Sequence, residues 1–234
     1  MPSADLLRSQ IEARIPAAFA VYRRPERKTI PTGITQIDDL NGGVPVGALT
    51  EICGSDLVSS GRTSVLISLL SKASQTHFCA LVDASDTFDP ASAHKTGTNL
   101  SRLLWVRCGK NQSKFTPLEQ AFKVTDILLQ SGGFGLIVVD IGCIAERLVR
   151  RVPLSSWFRF SRVVERHSTA LVLIEQQPHA TSCAGLVLRM TMVSAIFSGR
   201  VITQFNLRSE ILRDREKKPS QSVSQDFSLK TQWA

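Results

Sequence analysis

The run EICGSDLVSSGRTSVL (51–66) is the stretch of this chain best placed to do chemistry. An apolar, strand-like segment ends at Gly54, and a helical pattern begins near Gly61. A strand that feeds a helix N-terminus makes a ready anion site, because unpaired backbone N–H groups and the helix dipole both face the ligand. Loops of the form GxxxxGK[ST] wrap phosphates there: the lysine reaches the terminal phosphate and the hydroxyl binds Mg²⁺. Here Arg62 stands in the lysine slot, and Thr63 and Ser64 are available to Mg²⁺. The pattern fails at two points. Counting back from Gly61 puts Asp56, a carboxylate that repels phosphate, in the slot of the first glycine, and Gly54 lies two residues too early. Arg62 keeps the charge but is larger and forked, so it does not replace a compact ammonium quietly. Weak binding of ATP with Mg²⁺ stays open, and so does a purely structural role for the loop.

Asp140 ends the apolar run GLIVVDIG (135–142), where a carboxylate can face Mg²⁺ or can cap a neighbouring backbone amide. A basic stretch follows, with Arg147, Arg150, Arg151, Arg159, Arg162 and Arg166 interleaved with Trp157, Phe158 and Phe160. Arginine among aromatics suits single-stranded nucleic acid, through phosphate pairing and base stacking. The competing reading is a solvated arginine face. The three aromatics cannot all lie on one side of a helix, so at least one belongs to the core. His77, His94, His167 and His179 show no ligand spacing, and the five cysteines form no CxxC pair, so no metal site is expected. No nucleophile elbow or Ser-His-Asp pattern is visible, and no catalytic residue is assigned.

These residues need elements to position them. Strands are predicted at 48–54, 77–84, 103–109, 135–142 and 169–177, alternating with helices at 61–73, 117–130 and 155–167. Strands this apolar are covered on both faces, which means a mostly parallel α/β sheet flanked by helices. Beyond residue 186, two long strands turning near Ser198-Gly199 extend the sheet as an antiparallel C-terminal edge. Residues 4–15 place Leu6, Leu7, Ile11 and Ile15 at helical spacing, and Pro16 ends that helix. The division expected is an N-terminal helix and linker over 1–30, an α/β domain over 31–214, and a polar, flexible tail over 215–234.

The chain has 234 residues with 43% hydrophobic and 21% charged content, ordinary for a globular protein with a sizeable core. The formal net charge of +8 favours an acidic partner such as nucleic acid. No apolar run is long enough to span a bilayer, and Asp5, Arg8, Glu12 and Arg14 break any secretory pattern, so a cytoplasmic protein is expected.

Taken in order, several segments resemble the bacterial RecA recombinase family: PTGITQIDDLNGGVPVGALTEICG (31–54), LVDASDTFDP (81–90), LIVVD (136–140) and LVLIEQQ (171–177). The likeness covers roughly residues 31–185. It implies a RecA-like core, a phosphate-sensing role for Gln176 or Gln177, and a first DNA-binding loop with its following helix at the arginine cluster. It also implies that the detached N-terminal helix, through Leu6, Leu7 and Ile11, serves self-association or grips a partner. Two departures stand out. Ser85 occupies the place of that family's water-activating glutamate, and the region matching its second DNA-binding loop, PHATSCAG (178–185), is short. With these losses the chain is most similar to the ImuA family of RecA-like mutagenesis accessory proteins. That resemblance implies an accessory role in DNA-damage-induced translesion synthesis, beside a Y-family polymerase homologue and an error-prone polymerase, with little or no ATPase and no required cofactor. An ATP-dependent recombinase and a RecA-like cell-division inhibitor without DNA contact are the alternatives.

Overall fold

The computed structural model describes residues 11, 13, 14, 27–55, 59–109, 114–215 and 223–230. Leu6, Leu7 and Asp56 lie outside the described residues; Ile11 is helical and exposed.

Parallel pairing builds the centre of the molecule. β3 (Leu49–Cys53), β4 (Cys79–Asp83), β5 (Leu103–Arg107), β6 (Leu136–Asp140) and β7 (Ala170–Glu175) run parallel, and β8 (Leu186–Ser198) runs parallel to β3. β9 (Val201–Asp214) and β10 (Ser224–Lys230) add antiparallel, giving the order β10-β9-β8-β3-β7-β6-β4-β5. A separate two-stranded ribbon joins β1 (Thr29–Ile30) and β2 (Val44–Pro45) around α1 (Thr35–Asn41). The expected fold class, with its antiparallel C-terminal edge, is the one observed.

Period-two alternation divides the central strands between two cores. Leu81, Val138, Val172 and Ile174 face α2 (Arg62–Ala73), whose Leu66, Leu69 and Leu70 cover that side. Val82, Ile137, Val139, Leu171 and Leu173 face the other way, under α4 (Pro117–Ser131) and α6 (Leu154–Arg166). Thr116 caps α4 in a reciprocal box with Glu119, and Pro117 occupies the first turn, where its missing N–H costs nothing. Two short helices complete the chain, α3 (Pro90–Lys95) and α5 (Glu146–Val149).

The tail departs from expectation. Residues 224–230 are not a free polar segment but strand β10, paired with β9 from Ser224↔Glu210 to Lys230↔Gln204. Phe227 is only 5% exposed and joins the core that contains Leu207. Asp226 receives a two-pronged hydrogen bond from Arg208 on the outer surface. Composition hid this strand because so few of its residues are apolar. Its signal was the alternation Gln225, Phe227, Leu229, the inward-facing set of a strand covered on one side.

Candidate functional site

The strand order brings the carboxyl ends of β3, β7, β6 and β4 side by side, and the registers place Cys53 beside Glu175, Asp140 beside Ile174, and Asp83 beside Asp140. In an open α/β sheet this edge is where ligands bind. α2 starts here with Gly61 as its N-cap, at φ 80° in the left-handed region. A Cβ on Gly61 would meet Leu207 of β9 at 2.5 Å, so the C-terminal hairpin packs on the helix start. A Cβ on Gly54 would lie 2.6 Å from Ser60 Cβ and 2.7 Å from the Met190 carbonyl. The two ends of the loop therefore touch each other and β8. The cavity beside them measures about 150 Å³ and is lined by residues including Gly54, Ser60, Gln176 and Met190. That is below the roughly 300 Å³ at which ligand pockets begin.

The charged groups of this edge face each other. Arg62 Nε donates to Ser60 Oγ at 3.0 Å. Arg62 Nη1 and Asp140 Oδ1 lie on the same side of Gly142, 3.2 and 3.1 Å from the position a Cβ would take there. Asp140 is buried, and burial pushes its carboxyl up to about 6; the Gly142 N–H, the Arg62 charge and the Ser85 hydroxyl oppose that shift, while Asp83 adds to it. Gly142 N–H donates to Asp140 at 2.9 Å. The Ser85 hydroxyl, beside Asp140, also accepts the Cys143 N–H at 3.0 Å and so ties the ends of β4 and β6 together. Asp86 turns outward at φ 52° into a two-pronged pair with Arg107, at 2.7 and 3.0 Å. The Gln176 amide donates to the carbonyls of Gly142 and Ile144, at 3.0 and 3.1 Å. Thr63 and Ser64 are exposed on the first turn of α2.

A buried acidic pair went unnoticed in the sequence. Glu51 of β3 and Glu175 of β7 are almost fully enclosed. Glu51 Oε1 accepts the backbone N–H groups of His179 and Ala180, at 2.7 and 2.5 Å, and Glu175 Oε2 lies 3.0 Å from His179 Nδ1. The pair thus roots the loop that follows β7. Burial first, then the charge of its neighbour, pushes Glu51 up to about 8; burial pushes Glu175 up to about 7, opposed by hydrogen bonds and by Arg62. The signal was an acid set within each of the apolar runs ALTEICG and LVLIEQQ, where a charge must find a partner.

Folded-state values above the ordinary carboxylate range mean that the folded protein keeps protons the unfolded chain releases. The stability these groups confer is complete below their unfolded value near 4.5 and is lost as pH rises through about 7 and 8. The urea midpoint is expected to fall between about pH 4.5 and pH 8 and to level off above that, and Glu51→Gln, which keeps the acceptor without the charge, should flatten the fall. A flat wild-type profile would refute this.

The arginines are spread over different surfaces. Arg150 pairs with Glu146 at 2.6 Å and lines a cleft with Pro178 and His179. Arg151 borders an apolar groove with Phe122 and Val152. Arg147 is exposed on α5. Arg159, Arg162 and Arg166 line one groove, on the outer side of α6, where Phe158 joins them. Trp157 and Phe160 are buried against Phe122, with ring centroids 4.9 and 5.3 Å away. Among the described residues no group of His, Cys, Asp and Glu could hold a metal ion, and no helix is long and apolar enough to cross a membrane. Cys53, Cys79, Cys108 and Cys183 are buried and Cys143 is exposed, all as free thiols.

A family model for the RecA N-terminal domain matches residues 20–151, more than half of the chain. The chain belongs to the RecA N-terminal domain family. The RecA protein of Desulfotalea psychrophila is 28% identical over 224 residues, covering 81% of this chain and 61% of that protein. RecA of Ectopseudomonas oleovorans is 40% identical and that of Rickettsia canadensis 37%, each over 100 residues, 42% of this chain and 26% of the relative. The chain thus spans between about a quarter and three-fifths of the RecA proteins it matches. The RecA match includes Gly54, Gly61, Arg62 and Asp140, so the altered loop sits inside the family's domain and not beside it.

Proposed function

We propose that this RecA-like chain is an accessory protein of DNA-damage-induced translesion synthesis, of the ImuA type, working inside the cell by binding DNA and protein partners with little or no ATP hydrolysis. The observation that carries the reading is the set of side chains at the strand ends. Arg62 donates to Ser60, Asp140 accepts the Gly142 N–H, Gln176 holds the carbonyls of Gly142 and Ile144, and Asp86 is engaged by Arg107. Phosphoryl transfer needs a cation free to follow the phosphate, a carboxylate free to hold Mg²⁺ and a group that orients water. That Gln176, Asp86 and Asp140 bond groups at the strand ends, while Arg62 bonds Ser60, supports the accessory reading. The partners in this reading are single-stranded DNA, a Y-family polymerase homologue and an error-prone polymerase, with self-association through Leu6, Leu7 and Ile11.

The relatives' shared name, RecA, favours the other reading, an ATP-dependent recombinase. Turnover separates the two. No ATP hydrolysis above background is expected, with or without single-stranded DNA. DNA-stimulated hydrolysis that Asp140→Ala abolishes would establish the ATPase instead. Co-purification with the products of neighbouring genes tests the partners.

A further inference from the structure

Strand β8 outruns its parallel neighbour. β3 accompanies it only from Leu186 to Arg189, and from Met190 to Ser198 its ladder is with β9. Among the described residues no strand pairs with the other edge of this half, so its outward N–H and C=O groups are open to an added strand. The ladder with β9 shifts three times. Two shifts leave out Leu212 and Thr203 of β9, and the third leaves out Val193 of β8. Residues 194–198 therefore present an unbroken edge. Natural sheets guard such edges with charge. At the two outer strands of this sheet, β5 carries Arg107, and β10 carries Asp226 and Lys230. Residues 190–199, MTMVSAIFSG, carry no charge at all. Val193, Ile196, Phe197 and Val201 are exposed at this end of the hairpin, Phe197 the most, at 60%.

We infer that residues 194–198 are the pairing edge of a closed dimer: two copies of the chain join β8 to β8 antiparallel about a two-fold axis, covering Ile196 and Phe197. The open backbone groups select an extended strand as the occupant, because only a strand offers donors and acceptors in matching alternation. The lack of charge selects a neutral strand. An acidic segment would find no cation along 190–199 and would gain more on the arginine-bearing surfaces of this +8 chain. The neutral strand with matching apolar side chains is β8 itself. Two-fold pairing opposes no like charges along this stretch, and it consumes the edge, so it stops at two copies. The contact is short, and a weak, concentration-dependent dimer is expected. It is separate from self-association through Leu6, Leu7 and Ile11, which belong to the N-terminal segment.

Sedimentation equilibrium of the full chain across the micromolar range tests the pairing. Wild type is expected to pass from monomer to dimer, and the dimer should hold or tighten with added salt, which screens the repulsion between two chains of charge +8. Ile196→Lys with Phe197→Lys puts charge on the edge and should leave the chain monomeric throughout. Both positions are exposed, and circular dichroism checks that the variant folds. Ile196→Cys in a Cys143→Ser background should cross-link two chains under a mild oxidant, while Ile127→Cys, exposed on α4, should not. Leu7→Asp with Ile11→Asp should leave the dimer intact. A wild type that stays monomeric overturns the inference and leaves the edge to a strand of another protein. Dimers that survive the two lysines but vanish with Leu7→Asp and Ile11→Asp overturn it by moving self-association to the N-terminal segment. A series of ever larger species overturns the closed two-fold arrangement.

Discussion

Replacing Phe227 by alanine is expected to destabilise the protein by about 3–5 kcal/mol, the usual cost of removing a buried phenylalanine ring. For a chain of this size that lowers the thermal midpoint by roughly 6–20 °C. The ring is buried in the core that also holds Leu207, and Leu207 in turn touches the start of α2 at Gly61. Loss of the ring therefore loosens the C-terminal hairpin and the phosphate loop together. Deleting residues 216–234 should cost at least as much, since β9 would lose its whole ladder with β10 as well. Asp226→Ala is the control: it removes only a fully exposed pair with Arg208 and should leave the midpoint close to wild type. A Phe227→Ala midpoint equal to wild type would mean that β10 is a detachable tail after all.

Arg62→Ala is the second large effect, and its sign separates a relic from a working site. In an active phosphate loop the cation serves the nucleotide, so removing it spares the fold. Here the guanidinium bonds Ser60, and its charge lowers the carboxyls of Asp140 and Glu175 against the pull of burial. Taking it away leaves two buried acids without their cation, which must then protonate or draw in water. Arg62 is half-buried, and losing its bond to Ser60 together with its charge is expected to cost about 1–3 kcal/mol by urea denaturation at neutral pH. The loss should shrink as pH falls through about 6, where Asp140 takes up a proton and no longer needs its partner. Wild-type stability in Arg62→Ala at neutral pH would show that the side chain is free to meet a ligand.

The five parallel strands and three long helices were legible in the sequence because burial on two faces leaves near-continuous apolar runs, and amphipathic helices leave a 3.6-residue period. The departures of the loop from a working phosphate site were equally legible, since they concern residue type at counted positions: Asp56, Arg62 and Ser85 can be read without coordinates. What those residues do instead depended on the tertiary structure. Arg62 could as well have pointed to solvent; its place beside Gly142, past the end of β6, follows from the register that sets β6 near β3 with β7 between them. Glu51 and Glu175 are 124 positions apart in the chain, and only parallel pairing of β3 with β7 buries them together and gives the Glu51 carboxylate the N–H groups of residues 179 and 180. Strand β10 was hidden because only Phe227 among its residues is fully buried, and pairing with β9 supplies the rest. The arginines read as one cluster along the chain. The break between α5 and α6 at Pro153 sends Arg150 and Arg151 to other surfaces and leaves Arg159, Arg162 and Arg166 with Phe158 on one helix face. Sequence fixes which groups a chain carries and their local periodicity; which of them meet across the sheet depends on strand order, and no local pattern encodes that.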